Sequence, residues 1–271
     1  MVRPRQLPSG WYPTDAEEIK SLCSNYGQAV RGSRSFRAAV VPHAGWFYSG
    51  DLAGRTIARL AHASTVVVVG GHLHAGDPIH VAMEDGLQTP LGDLEIDGDL
   101  RRHLMGSFDT CPDPAADNTV EIQMPFVAGL MNRPRILYVR CPPSPVATKL
   151  GAFFAQHAAS SSIAVVGSTD LTHYGPNYGF TSHGDGSEAV RWVREVNDKT
   201  IIDAIMSMNP ASVIEVAARD RSACSAGAAA VAVSFAVSCG AKRAELVDAY
   251  SSYDVRPASS FVGYAGIGFM V

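Results

Sequence analysis

Thr65-Val66-Val67-Val68-Val69-Gly70-Gly71 is the stretch on which the fold turns. Its five consecutive β-branched residues leave no polar alternation, so both faces of the strand are expected to be buried, and two glycines stop it. A strand of that kind belongs inside a largely parallel sheet covered by helices. Working outward, Phe36-Arg37-Ala38-Ala39-Val40-Val41 reads as a second buried strand, and residues 49–63, with Leu52, Ile57 and Leu60 on one stripe, as a helix. Further strands are predicted at 79–83, 136–140, 162–166, 244–247 and 261–269. Further helices are predicted near 14–24, 98–105, 120–131, 147–159, 187–206 and 222–238, the last rich in alanine. The expected fold is α/β: one sandwich domain over residues 1–271, with a central largely parallel or mixed sheet flanked by helices. Cys141-Pro142-Pro143-Ser144-Pro145 reads as a loop rather than a boundary, and no repeat or low-complexity tract interrupts the alternation.

Composition narrows the function classes. The 271 residues are 46% hydrophobic and 18% charged, which suits a packed core and excludes a disordered chain. With 22 Lys and Arg against 26 Asp and Glu, the formal charge of −4 offers no basic field for nucleic acid or an anionic membrane. The longest apolar stretch, 226–237, is broken by Ser234 and is too short for a bilayer span of ~20 residues. The opening Met-Val-Arg-Pro-Arg has no apolar run of the signal-peptide kind, so a cytoplasmic protein is expected. Five cysteines without a Cys-x-x-Cys pair argue against a disulfide framework, so a functional cysteine would act singly, as a thiolate.

Three turns after strands collect the residues able to do chemistry, where ligands of open α/β sheets bind. In Pro42-His43-Ala44-Gly45-Trp46-Phe47-Tyr48-Ser49-Gly50, His43 is either a metal ligand or acid/base group, or a turn histidine bonded to backbone. In Gly70-Gly71-His72-Leu73-His74, one histidine of an i, i+2 pair can be a ligand while the other supports it or points away. In Ser168-Thr169-Asp170-Leu171-Thr172-His173-Tyr174-Gly175, the i, i+3 spacing can set Asp170 and His173 on one face of a helical turn. That pair then orients a proton-transfer histidine, or else Asp170 caps a helix and His173 is solvated. Cys224 opens the alanine-rich helix, where the helix dipole favours a thiolate; a small core residue is the alternative.

Taken in order, these pieces resemble the Memo family, that of the mediator of ErbB2-driven cell motility and its bacterial and archaeal relatives. The resemblance also rests on Ser9-Gly10-Trp11-Tyr12-Pro13, Thr89-Pro90-Leu91-Gly92-Asp93-Leu94, Val120-Glu121-Ile122-Gln123-Met124-Pro125-Phe126 and Val262-Gly263-Tyr264-Ala265, and so covers essentially the whole chain. It implies a fold like that of class III extradiol ring-cleaving dioxygenases. It also implies a metal cleft formed by His43, His72 and Cys224, with Asp170 and His173 as the catalytic pair beside it. His74 is the near neighbour of His72, and Tyr48, Trp46 and Tyr174 would wall an apolar cleft, with Glu121 and Asn118 in support. Asn118 stands where the family commonly carries a histidine, and Ser225 follows the cysteine where glycine is usual. The implied cofactor is a divalent metal: Fe(II) for an oxidoreductase acting on a small, aromatic-like substrate with O₂, or Cu or Zn. The alternatives are a copper- or iron-binding or peptide-binding redox protein without turnover, and a zinc hydrolase. The expected partners are the small-molecule substrate and O₂, with no nucleic acid or membrane; self-association is left open.

Overall fold

The computed structural model describes residues 1–30, 35–114, 117–159 and 162–271. In chain order these form β1 (Val2–Arg3), α1 (Ala16–Ala29), β2 (Phe36–Val41), α2 (Trp46–Ile57), β3 (Thr65–Gly70), β4 (Ile79–Val81), β5 (Gly86–Leu87), β6 (Leu94–Glu95) and α3 (Gly98–Ser107). Next come β7 (Thr110–Pro112), α4 (Asn118–Glu121), α5 (Met124–Leu130), β8 (Arg135–Arg140), α6 (Val146–His157), β9 (Ile163–Ser168) and β10 (His173–Tyr174). The remainder is α7 (Gly186–Trp192), a π-helical stretch at Val193–Asp198, α8 (Lys199–Met206), α9 (Pro210–Asp220), α10 (Ala226–Ser238), β11 (Arg243–Ser251), α11 (Ser252–Val255) and β12 (Phe261–Met270).

Among the described residues the main sheet has nine strands in the order β10-β12-β2-β9-β3-β8-β4-β7, with β11 also on β12. The centre, β2-β9-β3-β8, is parallel, while β12 and β4 run antiparallel at its two sides. The sheet is therefore mixed with a parallel core, as the sequence suggests. β3 lies between β9 and β8, and Val66 to Val69 are all fully buried. Each such valine contributes about 1.5–3 kcal/mol of transfer free energy, which fixes β3 at the centre. Helix α10 is buried continuously from Ala226 to Ala236 and packs on β9, β2 and β3 beneath α6 and α9. A helix apolar on every side has to be covered in that way. Helix α2 packs on β2 and β12 and against α1 and α5.

Several element boundaries differ from expectation for local reasons. The predicted helix at 120–131 is two pieces, α4 and α5, with Pro125 in the first turn of the second, where its missing N–H costs nothing. The predicted helix at 187–206 contains the π-helical stretch. Helix α9 was not anticipated, although Asn209 caps it by accepting from Ala211 N and Ser212 N, and Pro210 opens it. Asp170 and His173 do not share a helical turn: His173 begins β10, which pairs antiparallel with β12.

Candidate metal centre

The parallel register brings the chemistry together. Val41 of β2 pairs with Ser168 of β9, and Gly70 of β3 pairs with Arg140 of β8, so the carboxyl ends of neighbouring strands are level. His43, Asp170 and His72 each lie two residues beyond the end of their strand. Strands about 4.8 Å apart therefore deliver these three side chains to one place. Cys224 arrives from the opposite direction, just ahead of Ser225, the N-cap of α10. Its amide donates to Asp170 O at 3.3 Å, and Ser225 N donates to Thr169 Oγ1 at 3.0 Å, which pins the helix start to the exit of β9.

The donor atoms of His43, His72 and Cys224 lie within 4.8 Å of one another. Cys224 Sγ is 3.2 Å from His43 Nε2, and the rings of His43 and His72 are perpendicular with centroids 5.2 Å apart. His43 is buried and His72 opens to the cleft, its side chain 36% exposed. Asp170 sits between two imidazoles. Its Oδ1 accepts from His43 N at 2.7 Å, and its Oδ2 lies 3.8 Å from both His43 Nε2 and His173 Nε2. At that separation the interaction is one of charge rather than a hydrogen bond. His173 Nε2 is buried and has no hydrogen-bond partner among the described residues.

Burial works against charge on every member of the cluster, yet mutual pairing wins. Burial opposes ionisation of the Cys224 thiol most strongly, but His43, His173 and His72 together hold its pKa well below the usual thiol range. Burial likewise disfavours the charged His72 ring, and Asp117 with Cys224 outweighs it, raising the pKa to about 10. His173 is raised to about 10 by Asp170 and Cys224 against the same penalty, and His43 is also raised, by Asp170 and Cys224.

The residues fit a metal ion. With metal–nitrogen bonds of ~2.1 Å and a metal–sulfur bond of ~2.3 Å at tetrahedral angles, ligand atoms stand about 3.4–3.6 Å apart. The 3.2 Å Sγ–Nε2 distance and the 4.8 Å outer limit bracket that value. His173 Nε2, without a hydrogen-bond partner among the described residues, is a further nitrogen beside the same sulfur.

His43 and His72 of the centre, with Asp170 and His173, line a cleft of about 670 Å³. Its walls include Tyr48, Tyr178, Tyr264 and Trp11, and Ser252, Ser260 and Arg256 line it as well, so it is more polar than the sequence suggests. Tyr178 meets the His173 ring edge-on, with centroids 4.8 Å apart. Asn118 borders the cleft and donates its side-chain amide to His43 O at 3.1 Å.

Four residues expected at the site sit elsewhere. His74 is almost wholly exposed and turns to Asp77, so of the two histidines in its turn only His72 joins the cluster. Trp46 stacks on Phe126 at 3.8 Å, donates to Ile122 O and borders a separate cavity with Tyr12 and Phe47. Tyr174 is buried against Val190 and Phe261, its hydroxyl donating to Gly184 O. Glu121 accepts from Gln6 N, Leu7 N and Tyr12 Oη, and so fastens the amino-terminal segment rather than the centre.

Other contributors were not singled out by the sequence. Asp117 lies 3.1 Å from His72 Nδ1, and Gln123 donates to Ser168 Oγ, which in turn lies 3.4 Å from His43 Nδ1. Behind the loop, buried Asp198 accepts from Thr172 N at 3.1 Å and, chiefly through burial, has its pKa pushed up to about 7. An acidic residue next to the cleft-lining Asn118 was the available clue for Asp117.

Comparison with known proteins bears on the fold and the family. The solved structure of the uncharacterized protein JW3007 from Escherichia coli K12 superposes with a TM-score of 0.55, covering 86% of this chain and 100% of that one. At 11% identity that likeness concerns the fold alone. A MEMO1 family protein of Archaeoglobus fulgidus is 32% identical over 279 residues, covering 100% of both chains. Another from Methanococcoides burtonii is 32% identical over 276 residues, covering 98% of this chain and 99% of its own. The profile described as Memo-like protein matches residues 3–268, and with relatives aligning end to end the chain belongs to the Memo family.

Proposed function

We propose that this chain binds a redox-active divalent metal, Fe(II) in the first instance, through His43, His72 and Cys224, and uses it with O₂ to oxidise a small planar substrate in the cleft. The observation that carries this reading is two imidazoles that line an open cleft and lie with one sulfur within 4.8 Å, beside a histidine nitrogen with no hydrogen-bond partner among the described residues. When bound, the ion would supply Lewis acidity and an electron path.

The chain supplies the remainder. Asp170 fixes the His43 turn through its amide and places negative charge beside His173. His173 lines the cleft, and its Nε2 has no hydrogen-bond partner among the described residues; it is the group able to take or give a proton. Asn118 is committed to the His43 carbonyl and is not the proton carrier. Tyr48, Tyr178 and Tyr264 offer flat faces and hydroxyls for orienting a ring.

The test is anaerobic loading with Fe(II), followed by O₂ uptake with a panel of catechols and phenols. Uptake that depends on metal and substrate and falls at least 100-fold in His173→Ala, with metal content unchanged, is the expected result. Stoichiometric Fe(II) without O₂ uptake would overturn the oxidative reading. The soft sulfur donor favours one second reading, copper binding without turnover, for which tight Cu(I) uptake and no O₂ consumption is the signature.

A further inference from the structure

A chain of buried ions runs from the amino-terminal strand to His72. Arg140, the last residue of β8, has a side chain only 7% exposed and reaches two aspartates. Its Nε donates to Asp113 Oδ1 at 3.0 Å and its Nη1 to Asp117 Oδ2 at 3.0 Å. Nη2 donates to His80 Nδ1 at 3.0 Å, and Gly71 O lies 3.5 Å from Nη1. Asp113 is fully buried and also receives Arg3 at 2.8 Å. Asp117 accepts from Thr119 N at 2.9 Å and from the Thr119 hydroxyl, and the same Oδ2 that meets Arg140 lies 3.1 Å from His72 Nδ1.

A buried ion network is a poor means of gaining stability, because desolvation consumes most of the attraction. What it does well is hold geometry, and His72 needs holding. Its φ of 57° lies in the left-handed region, which costs a non-glycine residue about 1–3 kcal/mol unless its surroundings impose it. Gly71 N donates to Thr119 Oγ1 at 3.2 Å, so the backbone just before His72 is tied to the threonine that also serves Asp117.

We propose that Arg140 is a positioning residue for His72, acting through Asp117. The guanidinium fixes the carboxylate, the carboxylate claims Nδ1, and Nε2 is thereby presented to His43 and Cys224. This inference rests on the metal-binding reading of the site and adds the device that orients one of its ligands. Only a planar, forked cation satisfies Asp113, Asp117 and His80 together; a lysine ammonium would keep the charge and lose the directions.

The test uses Co(II) as the probe, titrated into full-length metal-free protein and followed by its sulfur charge-transfer and ligand-field absorption. Arg140→Lys and Arg140→Gln are expected to weaken Co(II) binding about 10–100-fold, the range for losing an outer partner of a ligand histidine. The charge-transfer band from Cys224 should persist while the ligand-field bands change. Asp117→Asn should show a loss of similar size, and the double variant Arg140→Gln/Asp117→Asn no more than Asp117→Asn alone, since the arginine works through the aspartate. Should Arg140→Gln fail to fold, Arg140→Lys and the charge-balanced double variant carry the comparison. Wild-type Co(II) affinity in Arg140→Lys together with a lowered thermal midpoint would reduce Arg140 to a structural role and overturn the proposal. So would a double variant whose loss equals the product of the single losses. Failure of the wild-type protein to take up Co(II) would instead strike the metal reading itself.

Discussion

Adding one methyl group at Gly71 should separate the two halves of the metal centre. A Cβ at this position would overlap Ser225 Cβ and Oγ and lie 2.8 Å from Ser225 Cα. Carbon atoms settle at about 3.5–4.0 Å, so the backbones of residues 71 and 225 must part by at least about 0.7 Å. Each is the immediate neighbour of a proposed ligand, His72 on one side and Cys224 on the other. Metal sites hold their bond lengths to within about 0.2 Å, so the displacement exceeds what a shared ion accommodates. Gly71→Ala is therefore expected to weaken Co(II) binding by at least about 10-fold. Overpacking of this kind costs about 1–3 kcal/mol, which lowers Tm by roughly 2–12 °C in a domain of this size. Co(II) absorption titrations and thermal unfolding of the metal-free protein read the two effects separately. Gly76→Ala is the control, since a Cβ there meets nothing within 4 Å and should change neither quantity. A Gly71→Ala protein with wild-type Co(II) affinity and wild-type Tm would refute the reasoning.

Three further expectations concern charge and anchoring. In the metal-free protein Cys224 should be a thiolate at neutral pH, so absorbance at ~240 nm should titrate well below the ordinary thiol range; a midpoint between pH 8 and 9 would contradict the three-histidine environment. His173 is raised to about 10 in the folded state from an ordinary value of ~6.5, so its pairing with Asp170 stabilises the metal-free protein fully below about pH 6.5 and progressively less as pH rises through 10. The gap in Tm between wild type and Asp170→Asn should therefore narrow from pH 7 to pH 10.5, and a constant gap would dismiss that pairing. Glu121→Ala strips the acceptor from Gln6 N, Leu7 N and Tyr12 Oη, and should lower stability to denaturant by about 1–3 kcal/mol while leaving Co(II) uptake unchanged; impaired uptake would return Glu121 to the centre.

Much of this arrangement was legible because local chemistry allowed few alternatives. A run of valines such as Val66–Val69 can only be an interior strand, and histidines just past strand ends converge once the strands are parallel and in register. Aromatic residues next to the site residues were misleading because direction depends on secondary structure. Trp46 and Tyr48 are two positions apart on a helix, about 200° around its axis, so only one reaches the cleft. His173 and Tyr174 are successive residues of a strand and face opposite sides of the sheet. The relation of Asp170 to His173 depends on a pairing with Val262, far along the chain, which no local spacing reveals. Arg140 and Asp117 escaped notice because a charge at the end of a strand or at a helix cap looks solvated until its partners are seen.

The anchoring of His173 to Val262 also bears on biosynthesis. Histidines 43 and 72 leave the ribosome early, yet the sulfur at 224 and the strand that hangs His173 in place follow some 150 to 220 positions later. A half-made polypeptide thus carries the two imidazoles but lacks the sulfur, so two of the three proposed donors are present without the third. On the metal-binding reading proposed above, an ion can be held by all three donors only once residue 224 has been made and pinned to the exit of β9, so ion capture would report that synthesis and folding have passed that point.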